Sequence, residues 1–140
     1  MCQHTVYLGL GSNLGDGKKN LEKALELLSQ RVGEIVRVSS FIESEPWGFQ
    51  SEHTFTNGAV SMLTNLSPFQ LLDETQAIER EMGRTHKHKP GEGYKDRIID
   101  IDILYYDELV MKTERLTLPH PLIEERDFVK IPLKDIKIQL

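Results

Sequence analysis

The chain has 140 residues, 39% hydrophobic and 28% charged, with a formal net charge of −5. That length supports one domain with its own core, so residues 1–140 are read as a single domain. The acidic balance argues against general nucleic-acid or membrane-surface binding, and no apolar run approaches the roughly 18 residues a membrane helix needs. Cys2 is the only cysteine, which leaves no internal disulfide and no thiolate metal site. With no signal-peptide pattern at Met1 to Thr5, a cytoplasmic protein is expected.

Thr5 to Leu10 read as a buried strand running into Gly11-Ser12-Asn13-Leu14-Gly15-Asp16-Gly17. Three glycines in seven residues make a turn with an approachable backbone. No Gly-Lys-Ser/Thr follows, so the turn is not a phosphate-binding P-loop. Leu21, Ala24, Leu25, Leu28 and Val32 mark one face of a helix, and Gly33 fits its end. Residues 34 to 43 predict a second strand. The segment from Glu45 to Gln50 is a loop whose Trp47 and Phe49 either fold onto the core or stack on a flat ligand.

From residue 54 to 64 the pattern alternates. Phe55, Asn57, Ala59 and Ser61 share one face; Thr56, Gly58, Val60 and Met62 share the other. A ring and an amide side by side suit a heterocycle. Ser67-Pro68-Phe69-Gln70 is a helix start, with Ser as cap, Pro first and Gln three beyond the cap. This helix runs to Met82 and stops at Gly83. Leu72, Thr75, Gln76, Glu79 and Met82 lie near one of its faces.

Residues 84 to 97 hold Arg84, Lys87, Lys89, Lys95 and Arg97, with His86 and His88. Residues 96 to 106, Asp96 to Tyr106, are dominated by Ile, Leu and Tyr and read as a strand. Asp100 and Asp102 are two apart, so both carboxylates point to one face, with Cα atoms about 7 Å apart. Ile99, Ile101 and Ile103 take the other. Like charges side by side repel. Either the two acids are simply solvated, or a divalent cation bridges them, and Mg²⁺ suits carboxylates together with substrate phosphates. Cations beside such a pair make sense if a Mg²⁺-carrying polyphosphate lies between them.

Asp107-Glu108 is a turn. His120 lies between Pro119 and Pro121, and no partners stand at zinc-site spacing. It is either a triphosphate contact or a structural residue. Glu124 to Phe128 start a short helix, and Ile131-Pro132-Leu133, Ile136 and Ile138 finish the chain near the core. The order strand, helix, strand, strand, helix, strand predicts an α+β fold of ferredoxin-like βαββαβ type. Its antiparallel sheet would have helices on one face, with an extra C-terminal hairpin and short helix.

Gly11-Ser12-Asn13-Leu14-Gly15, Arg97 to Ile103 and Arg115-Leu116-Thr117-Leu118-Pro119-His120-Pro121, in this order, resemble the 6-hydroxymethyl-7,8-dihydropterin pyrophosphokinases of folate biosynthesis. The similarity runs from about residue 5 to residue 133. The resemblance implies transfer of the β,γ-pyrophosphoryl group of ATP to the pterin hydroxymethyl oxygen, releasing AMP. It implies that Asp100 and Asp102 hold two Mg²⁺ ions and that Arg84 and Arg97 act in catalysis. ATP would meet Leu72, Gln76, Lys87, Arg97, Ile103, Arg115, Thr117, His120 and Arg126. The pterin would meet Ser44, Trp47, Phe55, Asn57, Tyr94, Asp100 and Phe128, with Phe55 and Phe128 sandwiching the ring. Glu79 matches a residue that supports the basic loop. His86, Tyr94 and Trp47 depart from the family's usual Arg, Trp and Leu. The protein is expected to be a monomer acting on small molecules. A nucleotidyltransferase or a non-catalytic ligand-binding module are the other readings.

Overall fold

The computed structural model describes residues 3–12, 16–44, 55–83, 98–121, 123 and 127–136. The elements run β1 (His4–Ser12), α1 (Gly17–Arg31), β2 (Gly33–Val38), β3 (Ile42–Ser44), β4 (Phe55–Thr64), α2 (Pro68–Gly83), β5 (Asp100–Tyr106), β6 (Met111–Lys112), β7 (Thr117–Leu118) and α3 (Asp127–Ile136). The fold is α+β. Its sheet is antiparallel in the order β2-β4-β1-β5, with β3 beside β4. The β6–β7 pair forms the expected hairpin. No helix among the described residues is long and apolar enough to cross a membrane.

The core forms where the apolar sides of α1 and α2 meet one face of the sheet. Leu21, Ala24 and Leu28 of α1 are buried, as are Leu71, Thr75 and Ile78 of α2. The helices pack on Val6, Leu8, Leu10, Val60, Met62, Ile101 and Ile103, the even positions of β1 and β4 and the odd positions of β5. Asp16 caps α1 by accepting from the Lys19 amide at 3.2 Å. The capping box of α2 is closed both ways. Gln70 Oε1 accepts from the Ser67 amide at 2.9 Å, and Ser67 Oγ accepts from the Gln70 amide at 3.3 Å.

A smaller cluster forms on the opposite face, where Leu104, Ile123 and Leu133 bury one another beside Tyr7 and Tyr105. Leu133 belongs to α3, so this third helix covers the face that α1 and α2 leave open. It packs mainly on β4, and to a lesser extent on β3 and β1, while Asp100 and Asp102 of β5 stay partly exposed.

Two expectations change. Gly33 opens β2 rather than ending α1, whose cap is Val32. It must be glycine because a Cβ there would fall 1.9 Å from the Leu63 carbonyl oxygen. The strand expected over 34–43 breaks after Val38. Ser39 Oγ accepts from the Ala59 amide at 2.8 Å and displaces a main-chain partner from the ladder, while the Ser40 amide turns away to Asp135 Oδ2 at 2.7 Å. The short helix α3 runs through Pro132. Pro132 has no amide for the Phe128 carbonyl, and burial of Pro132, Leu133 and Ile136 holds the turn in its place. Ile138 lies outside the described residues.

Candidate active site

The site is built on alternate residues of three strands. β1 lies between β4 and β5. Gly11 pairs with Asn57 on one side and Asp100 on the other; Gly9 pairs with Ala59 and Asp102. Directly opposed residues in an antiparallel ladder point the same way. Asn57, Gly11 and Asp100 therefore form one row across the sheet, and Ala59, Gly9 and Asp102 the next. The middle strand contributes no side chain to either row. The result is a trough in the side-chain profile about 10 Å wide between the outer strands, at about 4.8 Å per strand; Asn57 and Gly11 in it are buried, while Gly9, Asp100 and Asp102 are partly exposed. An added Cβ at Gly11 would reach within 3.0 Å of Asn57 Oδ1, and one at Gly9 would touch Leu104 at 3.5 Å. Glycine inside a strand marks a bulge, a bend or a place where a ligand or another backbone comes close; the register of β1 against β5 shifts at Tyr7/Leu8, just before these two. The Gly9-Leu10-Gly11 spacing carried that mark in the sequence, where it was missed.

The two acids share the open face. Asp100 and Asp102 are partly exposed, while Ile101 and Ile103 between and beyond them are 6% and 3% exposed in the core. The main chain of the pair is held from the sheet's outer edge. Glu79 of α2 accepts from the Ile101 amide at 2.8 Å. A buried amide left without a partner costs about 1–3 kcal/mol, so this contact matters to an edge strand.

His120 reaches the same place from the far side of the hairpin. Its amide donates to the Leu104 carbonyl at 3.0 Å, which sets its imidazole Nε2 3.9 Å from Asp102 Oδ1. Arg115 is tied back to α2. Its guanidinium donates to Asp73 at 2.6 Å and lies 5.4 Å from the centre of the Phe69 ring. The hairpin carrying Arg115 and Thr117 is thus joined to the helix carrying Leu72 and Gln76. Asp73 and Phe69 were not singled out in the sequence. Their i, i+4 spacing on the exposed flank of α2 was the available clue.

The structure brings Asn57, Asp100, Asp102 and His120 to one face. It puts Leu72, Gln76, Arg115 and Thr117 on the neighbouring helix and hairpin. Ile103 faces the core, so any ligand contact there would come from its main chain. Ser44 and Phe55 are register partners at the loop end of the trough, and Phe128 lies in the first turn of α3. Trp47, Arg84, His86, Lys87, Tyr94, Arg97 and Arg126 lie outside the described residues.

Among the described residues no three His, Cys, Asp or Glu side chains gather as a complete metal cage. Mg²⁺ does not need one, because it retains waters and takes substrate phosphate oxygens beside one or two carboxylates. The half-exposed Asp pair is a donor set of that kind.

Residues 7–138 match the family model described as 7,8-dihydro-6-hydroxymethylpterin-pyrophosphokinase. The chain is 51% identical over 132 residues to the 2-amino-4-hydroxy-6-hydroxymethyldihydropteridine pyrophosphokinase of Porphyromonas gingivalis, covering 94% of this chain and 89% of that one. It is 42% identical over 132 residues to part of a folic acid synthesis protein of Dictyostelium discoideum, covering 94% of this chain and 19% of that protein. The crystal structure of a Plasmodium falciparum HPPK-DHPS superposes with a TM-score of 0.76 at 16% identity, over 96% of this chain and 40% of that one. The chain therefore belongs to the 7,8-dihydro-6-hydroxymethylpterin-pyrophosphokinase family, a family of diphosphotransferases.

Proposed function

We propose that the trough between Asn57 and the Asp pair is where ATP and the reduced hydroxymethylpterin meet. The chain is a pyrophosphokinase of folate biosynthesis with ATP as co-substrate. One observation carries the placement. The Asn57 amide on one side and two carboxylates on the other flank Gly9 and Gly11, the two β1 residues between them that carry no side chain. A flat heterocycle lying over those glycines would present its polar edge to Asn57 and its hydroxymethyl arm to Asp100.

The reaction is an in-line displacement. The pterin hydroxyl oxygen attacks the β-phosphorus of ATP, the bond to the α,β-bridging oxygen breaks, and AMP departs with that oxygen. Asp100 and Asp102 would hold two Mg²⁺ ions, which when bound neutralise phosphate charge and favour the ionised hydroxyl. His120, beside Asp102, would meet the triphosphate. Arg115 and Thr117 on the hairpin, with Leu72, Gln76 and the Ile103 main chain, would receive the nucleotide. Ser44, Trp47, Phe55, Tyr94 and Phe128 complete the pterin pocket in this reading. Arg84, Lys87, Arg97 and Arg126 supply positive charge to the phosphates, and Arg84 and Arg97 are the catalytic pair.

The strand order supports a ferredoxin-like architecture in which β2 and β3 together occupy one strand position. We take residues 1–140 as one pyrophosphokinase domain acting as a cytoplasmic monomer on small molecules, without nucleic acid or membrane. Light scattering measures the mass.

The deciding experiment is AMP release from ATP, Mg²⁺ and the reduced hydroxymethylpterin. AMP as the co-product is expected. Pyrophosphate in its place would mean nucleotidyl transfer. Pterin affinity should also rise with a non-hydrolysable ATP analogue and Mg²⁺ present, and unchanged affinity would separate the two sites.

A further inference from the structure

We infer that Glu79 is a positioning residue for the Asp100–Asp102 pair, fixing the main chain between the two acids from the outer edge of the sheet. This rests on the reading of that pair as the Mg²⁺ holders.

β5 ends the sheet, with β1 as its only strand neighbour among the described elements. The Ile101 amide, midway between the two acids, donates to Glu79 Oε2 at 2.8 Å. Its acceptor is thus a side chain on a helix and not a strand. Ile101 shares one peptide unit with Asp100 and the other with Asp102. A rotation of the chain at Ile101 would swing both carboxylates together. The Glu79 acceptor opposes that rotation at the one point where it affects both.

The helix meets the strand a second time. At Gly83, one turn beyond Glu79, an added Cβ would lie 2.8 Å from the Ile98 Cβ. The last turn of α2 is therefore seated against residues 98–101 at two places. Solvent does not readily replace Glu79, because Ile101 is 6% exposed. The β1 ladder holds one edge of the Asp strand and α2 holds the other. A metal site needs such backing, because losing a group that orients the ligands typically costs about 10–100-fold in metal affinity.

The role calls for an acceptor oxygen, not a charge. Glu79→Gln keeps an oxygen at that place and Glu79→Leu removes it. Three measurements separate them: exchange of the Ile101 amide by NMR in metal-free enzyme, Mg²⁺ dependence of binding of a non-hydrolysable ATP analogue by calorimetry, and Mg²⁺ dependence of AMP release. In Glu79→Gln, slow Ile101 exchange and the wild-type Mg²⁺ half-saturation are expected. In Glu79→Leu, the amide exchanges faster and the Mg²⁺ half-saturation rises on the order of 10–100-fold, as loss of a ligand-orienting partner does. If Gln is as impaired as Leu, charge is what Glu79 supplies and the proposal fails. If Leu binds Mg²⁺ and analogue as the wild type does, it also fails. Should Glu79→Leu not fold, Glu79→Gln decides alone. Retained exchange protection and Mg²⁺ dependence support the role, and loss of either overturns it. An Asp100→Asn arm tests the underlying reading separately. Full Mg²⁺-dependent turnover in that variant removes the metal pair itself, whatever Glu79 does.

Discussion

Along β1, Val6, Leu8 and Leu10 are no more than 3% exposed and lie under α1 and α2, whereas Tyr7, Gly9 and Gly11, alternating with them, look the other way. β5 divides likewise, with Ile101 and Ile103 in the core and Asp100 and Asp102 on the open face. On the helix face most positions are apolar and buried, with Ser12, Thr56 and Thr64 as buried polar exceptions and Gly58 without a side chain. On the opposite face Gly9 and Gly11 carry no side chain and Asn57, Asp100 and Asp102 beside them are polar, while Leu104, Ile123 and Leu133 form a small apolar cluster farther along it. Because strand side chains alternate, one set of strands provides stability on one side and chemistry on the other. Changes on one face should be nearly silent in the property the other supplies.

The sharpest way to break the comparison is at the acids. Asp100→Ala and Asp102→Ala should each lower AMP release by at least about 10²–10³-fold, the scale on which loss of transition-state charge stabilisation acts. Their thermal melting should stay near the wild type. Wild-type AMP release from either would overturn the assignment. The reverse case is Leu8→Ala or Leu28→Ala, each at a side chain with no exposure. Urea unfolding should show a loss of about 2–5 kcal/mol, with pterin affinity nearly unchanged at a temperature where the variant is folded.

Gly11 and Gly9 sharpen the contrast within the open face. Gly11→Ala puts a methyl 3.0 Å from Asn57 Oδ1 and should weaken pterin binding by about tenfold, the scale of one misplaced methyl in a fitted pocket. Gly9→Ala makes only ordinary contact with Leu104, so calorimetry should show a smaller change. Equal effects would mean that the pterin does not lie along the Asn57 row.

Two smaller effects belong to the helix side. Ser67→Ala opens the capping box of α2 and should cost about 1 kcal/mol in thermal unfolding. The smallest concerns Arg31 and Glu81, which join α1 to α2 at the surface, one of their contacts being 2.6 Å. The hydrogen bond from Arg31 holds the Glu81 carboxyl below its usual range. Its folded value lies below the unfolded one, so the contribution is present above the unfolded value and is lost as pH falls through the folded one. Glu81→Gln should flatten that acid limb slightly, because the pair is exposed to solvent. Stability measured from pH 7 to pH 3 checks it.

Much was legible because it is local. The Asp100-Ile101-Asp102 alternation placed both acids on one face, and the Asn57 face followed from the same period of two. Ser67 and Gln70 announced their reciprocal hydrogen bonds within four residues. The role of Gly33 was not legible, because the atom that forbids a side chain there is the Leu63 carbonyl, thirty residues on. The break at Ser39 depends likewise on Ala59 of another strand.

The candidate site divides in the same way. The residues themselves determined which side chains carry chemistry and which way each strand turns them, since alternation is a property of a few consecutive dihedral angles. Only the tertiary structure decided that Gly11 lies between Asn57 and Asp100, that His120 returns to Asp102, that Glu79 reaches the Ile101 amide, and that α3 packs mainly on β4. These are meetings between segments far apart in the chain. Strand order and helix packing set them, and no local pattern encodes either.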